Sequence, residues 1–263
     1  MSYQELFKKL TNIKINTLNI ITRKKASHIG SNFSCAHLIL AVYKKYIHRK
    51  KNIFLMSKGH ASAVYYSTLK EFGELSKKKL YTFVNNGSYL SGHVSKFANK
   101  LIPFSSGSLG NGIGVASGYA YGDKVFKKNR KIFVLISDGE LNEGSTWESI
   151  LFASHHKLKN IIVILDSNKL QNIDKVKNVL DISDIKSKLK KFKWNTTIVN
   201  GHNFISIYAG LKKAFKSKKP FFIIANTTKG KGVSFMENKI LWHYKNPNQL
   251  EYKKAIQELN NER

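Results

Sequence analysis

The chain has 263 residues, 42% hydrophobic and 12% aromatic, which suffices for one large α/β core and excludes a disordered tail. Its net charge is +29, yet only Arg23, Arg49, Arg130 and Arg263 among the 45 basic residues are arginine, which argues against a specific nucleic-acid reader built on bidentate Arg contacts and for a Lys-, Asn- and Ile-rich compositional bias. One cysteine, Cys35, excludes an internal disulfide, and no run approaches the roughly 18 apolar residues of a membrane span.

Met1 to Leu10 carries Glu5 and two lysines and does not read as a secretory signal, so a cytoplasmic protein is expected. Apolar residues at helical spacing predict helices over Tyr3–Ile21, Ser34–Tyr46, about His60–Phe72 and Ser76–Val84. The pattern then changes. Lys131–Ile136, Asn160–Leu165 and Pro220–Ala225 are short, continuous apolar runs rich in β-branched residues, and Thr196–Val199 is a weaker one. Such strands, separated by helical segments at about Thr146–Lys157 and Phe204–Phe215, predict a doubly wound, mostly parallel sheet with helices on both faces. No repeat and no linker break it, so residues 1–263 are expected to form a single domain, with a short helical tail at about 248–263.

In such folds ligands gather at the carboxyl ends of the strands. Ser137-Asp138-Gly139-Glu140 follows the first apolar run, and Asp166-Ser167-Asn168-Lys169-Leu170 follows the second. Asp138 and Asn168 therefore stand at two strand ends one crossover apart, offering the hard oxygen ligands that suit Mg²⁺. Gly139 would let backbone approach a phosphate, and a following helix N-terminus would add amide donors. Only 16 residues are acidic, yet Asp138, Glu140, Glu143 and Glu148 lie within eleven positions. The plain reading of Glu143 and Glu148 is that carboxylates favour the first turn of a helix.

An Asp-Gly after one strand and an Asn about thirty residues on resembles the thiamine-diphosphate motif, and other segments resemble transketolases in the same order. They are Ser27-His28-Ile29-Gly30, Phe54 to His60, Gly92-His93, Gly107-Ser108-Leu109-Gly110-Asn111-Gly112, and Thr227 to His243. The resemblance spans residues 23 to 247. It implies the diphosphate-binding (PP-type) domain of a transketolase. Asp138, Asn168 and the Leu170 carbonyl would hold Mg²⁺ (or Ca²⁺ or Mn²⁺). His60, Gly107, Ser108, Leu109, Asp138, Gly139, Glu140, Asn168 and His243 would bind thiamine diphosphate. His28, His60, His93 and His243 would line the substrate channel and handle protons, and Glu143 would sit in a carboxylate relay near a dimer contact. Two positions depart from the family pattern: Ser137 replaces a glycine, tolerable if its φ is negative, and Ile29 replaces a proline.

The family's pyrimidine-binding domain, which supplies a glutamate to the cofactor, has no counterpart here. The resemblance therefore implies an N-terminal subunit of a split transketolase. It would work with a C-terminal subunit, in a heterotetramer, on sugars or sugar phosphates, with no specific nucleic acid and no membrane. The expected reaction is transfer of a two-carbon ketol unit from a ketose to an aldose. Alternatives are another thiamine-diphosphate ligase or lyase on sugars, of the deoxyxylulose-phosphate-synthase type or for an unusual sugar, and a non-catalytic module of the same fold. His155, His156 and His202 are expected to be structural, His37 a packed and His48 a surface histidine, and Cys35 a small core residue.

Overall fold

A computed structural model describes residues 3–261, so Met1, Ser2, Glu262 and Arg263, the extreme ends of the expected domain, lie outside it. The strands are β1 (Ile53–Met56), β2 (Ile132–Ser137), β3 (Ile161–Ser167), β4 (Asn195–Asn200) and β5 (Phe221–Asn226). The helices are α1 (Tyr3–Arg23), α2 (Ile29–Val42), α3 (Ser62–Glu71), α4 (Lys77–Leu80), α5 (Gly112–Val125), α6 (Gly144–His155), α7 (Val176–Val179), α8 (Ile185–Lys191), α9 (Phe204–Lys216) and α10 (Gln249–Asn261). The chain divides into two compact units, each drawn from separate stretches of sequence.

Among the described residues the first unit takes 3–40, 60–105 and 228–261. It is helical. The amphipathic α1 buries Leu6, Leu10, Ile13, Leu18 and Ile21 and packs against α3 and α10. The helix α2 is apolar nearly all round and buried along its length, as expected of a core helix. Its predicted start, Ser34, falls five residues late, because Ile29 to Phe33 already sit in the first turns. The expected helix over Ser76–Val84 is only one turn of α-helix, Lys77–Leu80, capped by the Ser76 side chain, which accepts from Lys79 N–H at 3.1 Å.

The second unit takes residues 41–59 and 106–227 and contains the sheet, in the order β1-β2-β3-β5-β4, with every pairing parallel. Every residue of β2 and β3 is buried, which is why both read as unbroken apolar runs: each face of these strands is covered. The edge strand β4 is exposed at half of its positions, with Ile198 at 51% exposure, and its sequence signal is weak for that reason. The helix α5 packs on β1, β2 and β3, while α8 and α9 pack on the β4–β5 side. Among the described residues no helix is long and apolar enough to cross a membrane.

Candidate active site

The carboxyl ends of β2 and β3 are neighbours, with Ser137 opposite Asp166 in the parallel register. Asp138 and Asn168 follow directly, both buried. Ser137 takes φ −106°, so the residue that stands in for a glycine occupies ordinary extended backbone without strain. Asp138 Oδ2 accepts the Lys169 N–H at 2.7 Å, and Asn168 Oδ1 accepts the Leu170 N–H at 3.0 Å. The second bond is a local turn that keeps the Asn168 amide at the strand end.

Burial, reinforced by the charge of nearby Asp166, pushes the Asp138 carboxyl up to about 6, against the opposing pull of the Lys169 N–H. A buried carboxylate so poorly compensated is the donor a hard cation would relieve. Ser137 Oγ is buried beside it without a hydrogen-bond partner. A Cβ at Gly139 would approach no atom closer than Leu109 Cδ1 at 3.5 Å, so the protein itself does not require a glycine there, and its absence of side chain leaves room for something else. These three observations fit a metal-bound diphosphate.

Glu140 ties this strand end to that of β1 and to the turn at Gly110. It accepts a short hydrogen bond from Ser57 Oγ at the end of β1, from Gly110 N–H at 3.3 Å and from Ser137 N–H at 3.1 Å. Ser57 Oγ in turn accepts the Gly112 N–H at 3.1 Å. The turn that carries Gly107, Ser108 and Leu109 is thus anchored to β1 and β2 through one buried carboxylate. Burial pushes Glu140 up to about 7, although Ser57, the two amides and Lys58 favour its charged form. Gly110 has φ +84° and a Cβ there would strike Ser145 Oγ, so glycine is required on both counts. Glu143 is exposed and provides the backbone cap of α6.

In the helical unit the four singled-out histidines form one cluster. His28 lies 5.4 Å from His60, 5.8 Å from His93 and 4.9 Å from His243, and His60 lies 5.6 Å from His243, measured between ring centroids. Four distant segments of sequence supply them. His28 adopts φ +73°, a left-handed conformation fixed by its N–H donating to the His243 carbonyl at 2.7 Å. Asn32 helps to hold the set: its Nδ2 donates to the His28 carbonyl at 2.8 Å, and its Oδ1 accepts the Val64 N–H at 2.8 Å. Among the described residues no group of three or more His, Cys, Asp or Glu has the geometry of a metal site.

Sequence reasoning missed several buried polar groups. Lys58, at 1% exposure, forms an ion pair with Asp166, at 0%, and Thr227 Oγ1 also donates to Asp166. Lys229, at 1% exposure, contacts His243 Nδ1 at 2.9 Å. Where the Lys229 amine carries its third proton it can only donate, which places the His243 proton on Nε2. The available signal was a charged residue set directly against an apolar strand or among small residues, as in Met56-Ser57-Lys58-Gly59. Elsewhere, His37 is buried in α2, and His48 is half-buried near the Tyr43 ring rather than on the surface. His155 and His156 lie at the C-terminal end of α6, His202 lies in the turn after β4, and Cys35 is buried.

The family model described as transketolase, thiamine diphosphate binding domain, matches residues 7–257. The chain belongs to the transketolase family. It is 36% identical to a protein of Actinobacillus succinogenes named as one of the subunits of apulose-4-phosphate transketolase, covering 100% of this chain and 98% of that protein. It is 34% identical to the protein of the same name from Phocaeicola vulgatus, covering 92% and 89%. Among solved structures, a transketolase from Campylobacter jejuni superposes with a TM-score of 0.93 at 27% identity, covering 99% of this chain. The chain spans 43% of the length of that transketolase, whereas it spans nearly all of the Actinobacillus relative.

Proposed function

We propose that this chain is the diphosphate-binding subunit of a split transketolase, which moves a two-carbon ketol unit from a ketose phosphate to an aldose phosphate together with a second chain. The observation that carries the reading is the match over 98% of a relative that is itself named as a single subunit of a transketolase. The second chain would be the C-terminal, pyrimidine-binding subunit, and two copies of each would assemble in the cytoplasm.

Asp138, Asn168 and the Leu170 carbonyl would hold Mg²⁺, a hard cation matched to oxygen donors. Gly139 and Glu140 would border the diphosphate, and Gly107, Ser108 and Leu109 the rings of thiamine diphosphate, with His60 and His243 also in contact. When bound, that cofactor supplies carbanion stabilisation next to a carbonyl. The protein supplies placement and proton transfer. Cleaving the donor requires a sugar hydroxyl to lose its proton, and joining the two-carbon unit to the acceptor aldehyde leaves an alkoxide that must gain one. His28, His60, His93 and His243 are suited to both near neutral pH. The ammonium of Lys229 would keep the Nε2–H of His243 available as a donor. Glu143, exposed at the start of α6, would face a second copy of the chain.

The test is reconstitution with the second subunit, thiamine diphosphate and Mg²⁺. Ketose phosphates are supplied as donors, beginning with apulose 4-phosphate because the relatives carry its name, and pyruvate is supplied in parallel. Ketol transfer is expected, and His28→Ala should lower kcat on the order of 10²-fold or more. Carbon dioxide release from pyruvate, without ketol transfer, would sink this reading.

A further inference from the structure

At the amino ends of β3, β4 and β5, the opposite end of the sheet from Asp138 and Asn168, the second unit carries a hollow of about 610 Å³. Its walls come from the C-terminal turn of α6 with Lys157, the end of α8, and the turn between α9 and β5. Half of its ten lining residues are lysine: Lys157, Lys191, Lys193, Lys218 and Lys219. All five are exposed, and lysine is common over the exposed surface of the whole chain. None of the lining residues is acidic. Leu151, Phe192 and Pro220 add an apolar surface among the ammonium groups.

Three helices end at or close to this hollow, and each C-terminus contributes roughly half a negative charge. Lysines at helix ends often do no more than offset that dipole. Here five full positive charges face about 1.5 negative equivalents, and the surplus is positive. A second basic hollow, lined by Arg130, Lys131 and Lys159, shares Lys218 with the first. There, burial first and the charge of Lys159 second hold the Lys131 ammonium below its ordinary value.

We infer that this hollow is a binding site for a nucleoside di- or triphosphate, separate from the strand-end site. Lysine is a point-charge binder of phosphate, and five of them can neutralise a triphosphate. The exposed Leu151 and the half-buried Phe192 offer apolar surface against which a purine or pyrimidine base can pack. The volume falls within the roughly 300–1,000 Å³ range of small-molecule sites. The ligand would not compete with a diphosphate at Asp138, because α6 separates the two: it begins beside Glu143 and finishes at His155 in the hollow.

Calorimetric titration of the full chain with ATP tests this, at about 0.15 M salt so that weak surface attraction is screened. Thiamine diphosphate is kept in excess, and Mg²⁺ in excess over both ligands. One saturable ATP site is expected. It should weaken tenfold or more in a Lys191→Gln/Lys219→Gln variant and persist in a Lys77→Gln/Lys78→Gln control. Inorganic tripolyphosphate should bind more weakly than ATP. The inference is overturned if both variants lose binding alike, if Lys191→Gln/Lys219→Gln has no effect, or if tripolyphosphate matches ATP. A thermal melt of each variant establishes that it is folded. Because the readout is binding rather than turnover, failure here leaves the proposed ketol transfer intact.

Discussion

Asp138 is held in a state that costs the metal-free protein stability. Its folded carboxyl titrates near 6, against an ordinary 3.8, mainly because burial disfavours the charge. The folded state therefore binds the proton more tightly than the unfolded chain does. Stability from this group is fully present below about pH 4 and is lost as pH rises through about 6. The raised folded value corresponds to roughly 3 kcal/mol at neutral pH. Asp138→Asn keeps the acceptor for Lys169 N–H and removes the charge. In EDTA at pH 7 this variant should melt higher than the parent, with the gap closing toward pH 4, and it should no longer bind thiamine diphosphate in a Mg²⁺-dependent way. A lower Tm for the variant at pH 7 would show that the carboxylate is already compensated by the protein. Asp138 and Asn168 were legible in the sequence because each follows an unbroken apolar strand, which fixes the chain direction and the strand end. Lys58, Asp166 and Lys229 were not. Their burial depends on partners 108 residues away for Lys58 and 14 for Lys229, and no local pattern reports that.

The strands were legible where an apolar run marked them, and even the half-exposed β4 was read from its weaker run to within one residue at each end. The three apolar runs correspond to β2, β3 and β5 to within about one or two residues at each end. In contrast, β1 is only four residues long and merges into a functional-looking motif, so its run Ile53–Met56 gave too little signal. The helix α5 went unread because Gly112, Gly114, Gly118 and Gly122 each cost about 1 kcal/mol against alanine in a helix. Two of them have a steric reason. A Cβ at Gly112 would strike Ser57, and one at Gly114 would lie 3.1 Å from Ser149 Oγ. Gly118 and Gly122 meet no atom within 4 Å, and nothing in this chain explains them. Gly210 in α9 allows the same competition to be measured. Alanine there should gain about 1 kcal/mol of helix propensity. Its Cβ, however, would sit 2.6 Å from Val199 Cγ1 on β4, and overpacking costs about 1–3 kcal/mol. Gly210→Ala should therefore destabilise the protein to denaturant. Combined with Val199→Ala, it should do so by about 1 kcal/mol less than the two single effects added. If Gly210→Ala proves more stable than the parent, α9 is free to shift on the sheet and the close approach is not a constraint.

For the whole molecule the dominant physical fact is the net charge of +29. Two copies of such a chain repel each other, and any assembly containing both must overcome that through apolar contact, through an acidic partner, or through screening. The proposed heterotetramer distinguishes these. Raising ionic strength from about 0.02 M to 0.15 M shortens the Debye length from roughly 20 Å to 8 Å, which weakens repulsion between exposed charges far more than it affects apolar contact. If the second subunit is near neutral, native mass spectra of the co-purified chains should show pairs of one chain each at low ionic strength and the two-plus-two assembly at higher ionic strength. Each should carry the added mass of thiamine diphosphate and Mg²⁺. If the tetramer instead dominates at low ionic strength and dissociates as salt rises, an acidic partner is holding the assembly by attraction, and the lysine surplus is part of the recognition between subunits rather than a bias of composition. A spectrum of this chain alone, without cofactor even when the partner, thiamine diphosphate and Mg²⁺ are all in excess, would count against the split-enzyme reading itself.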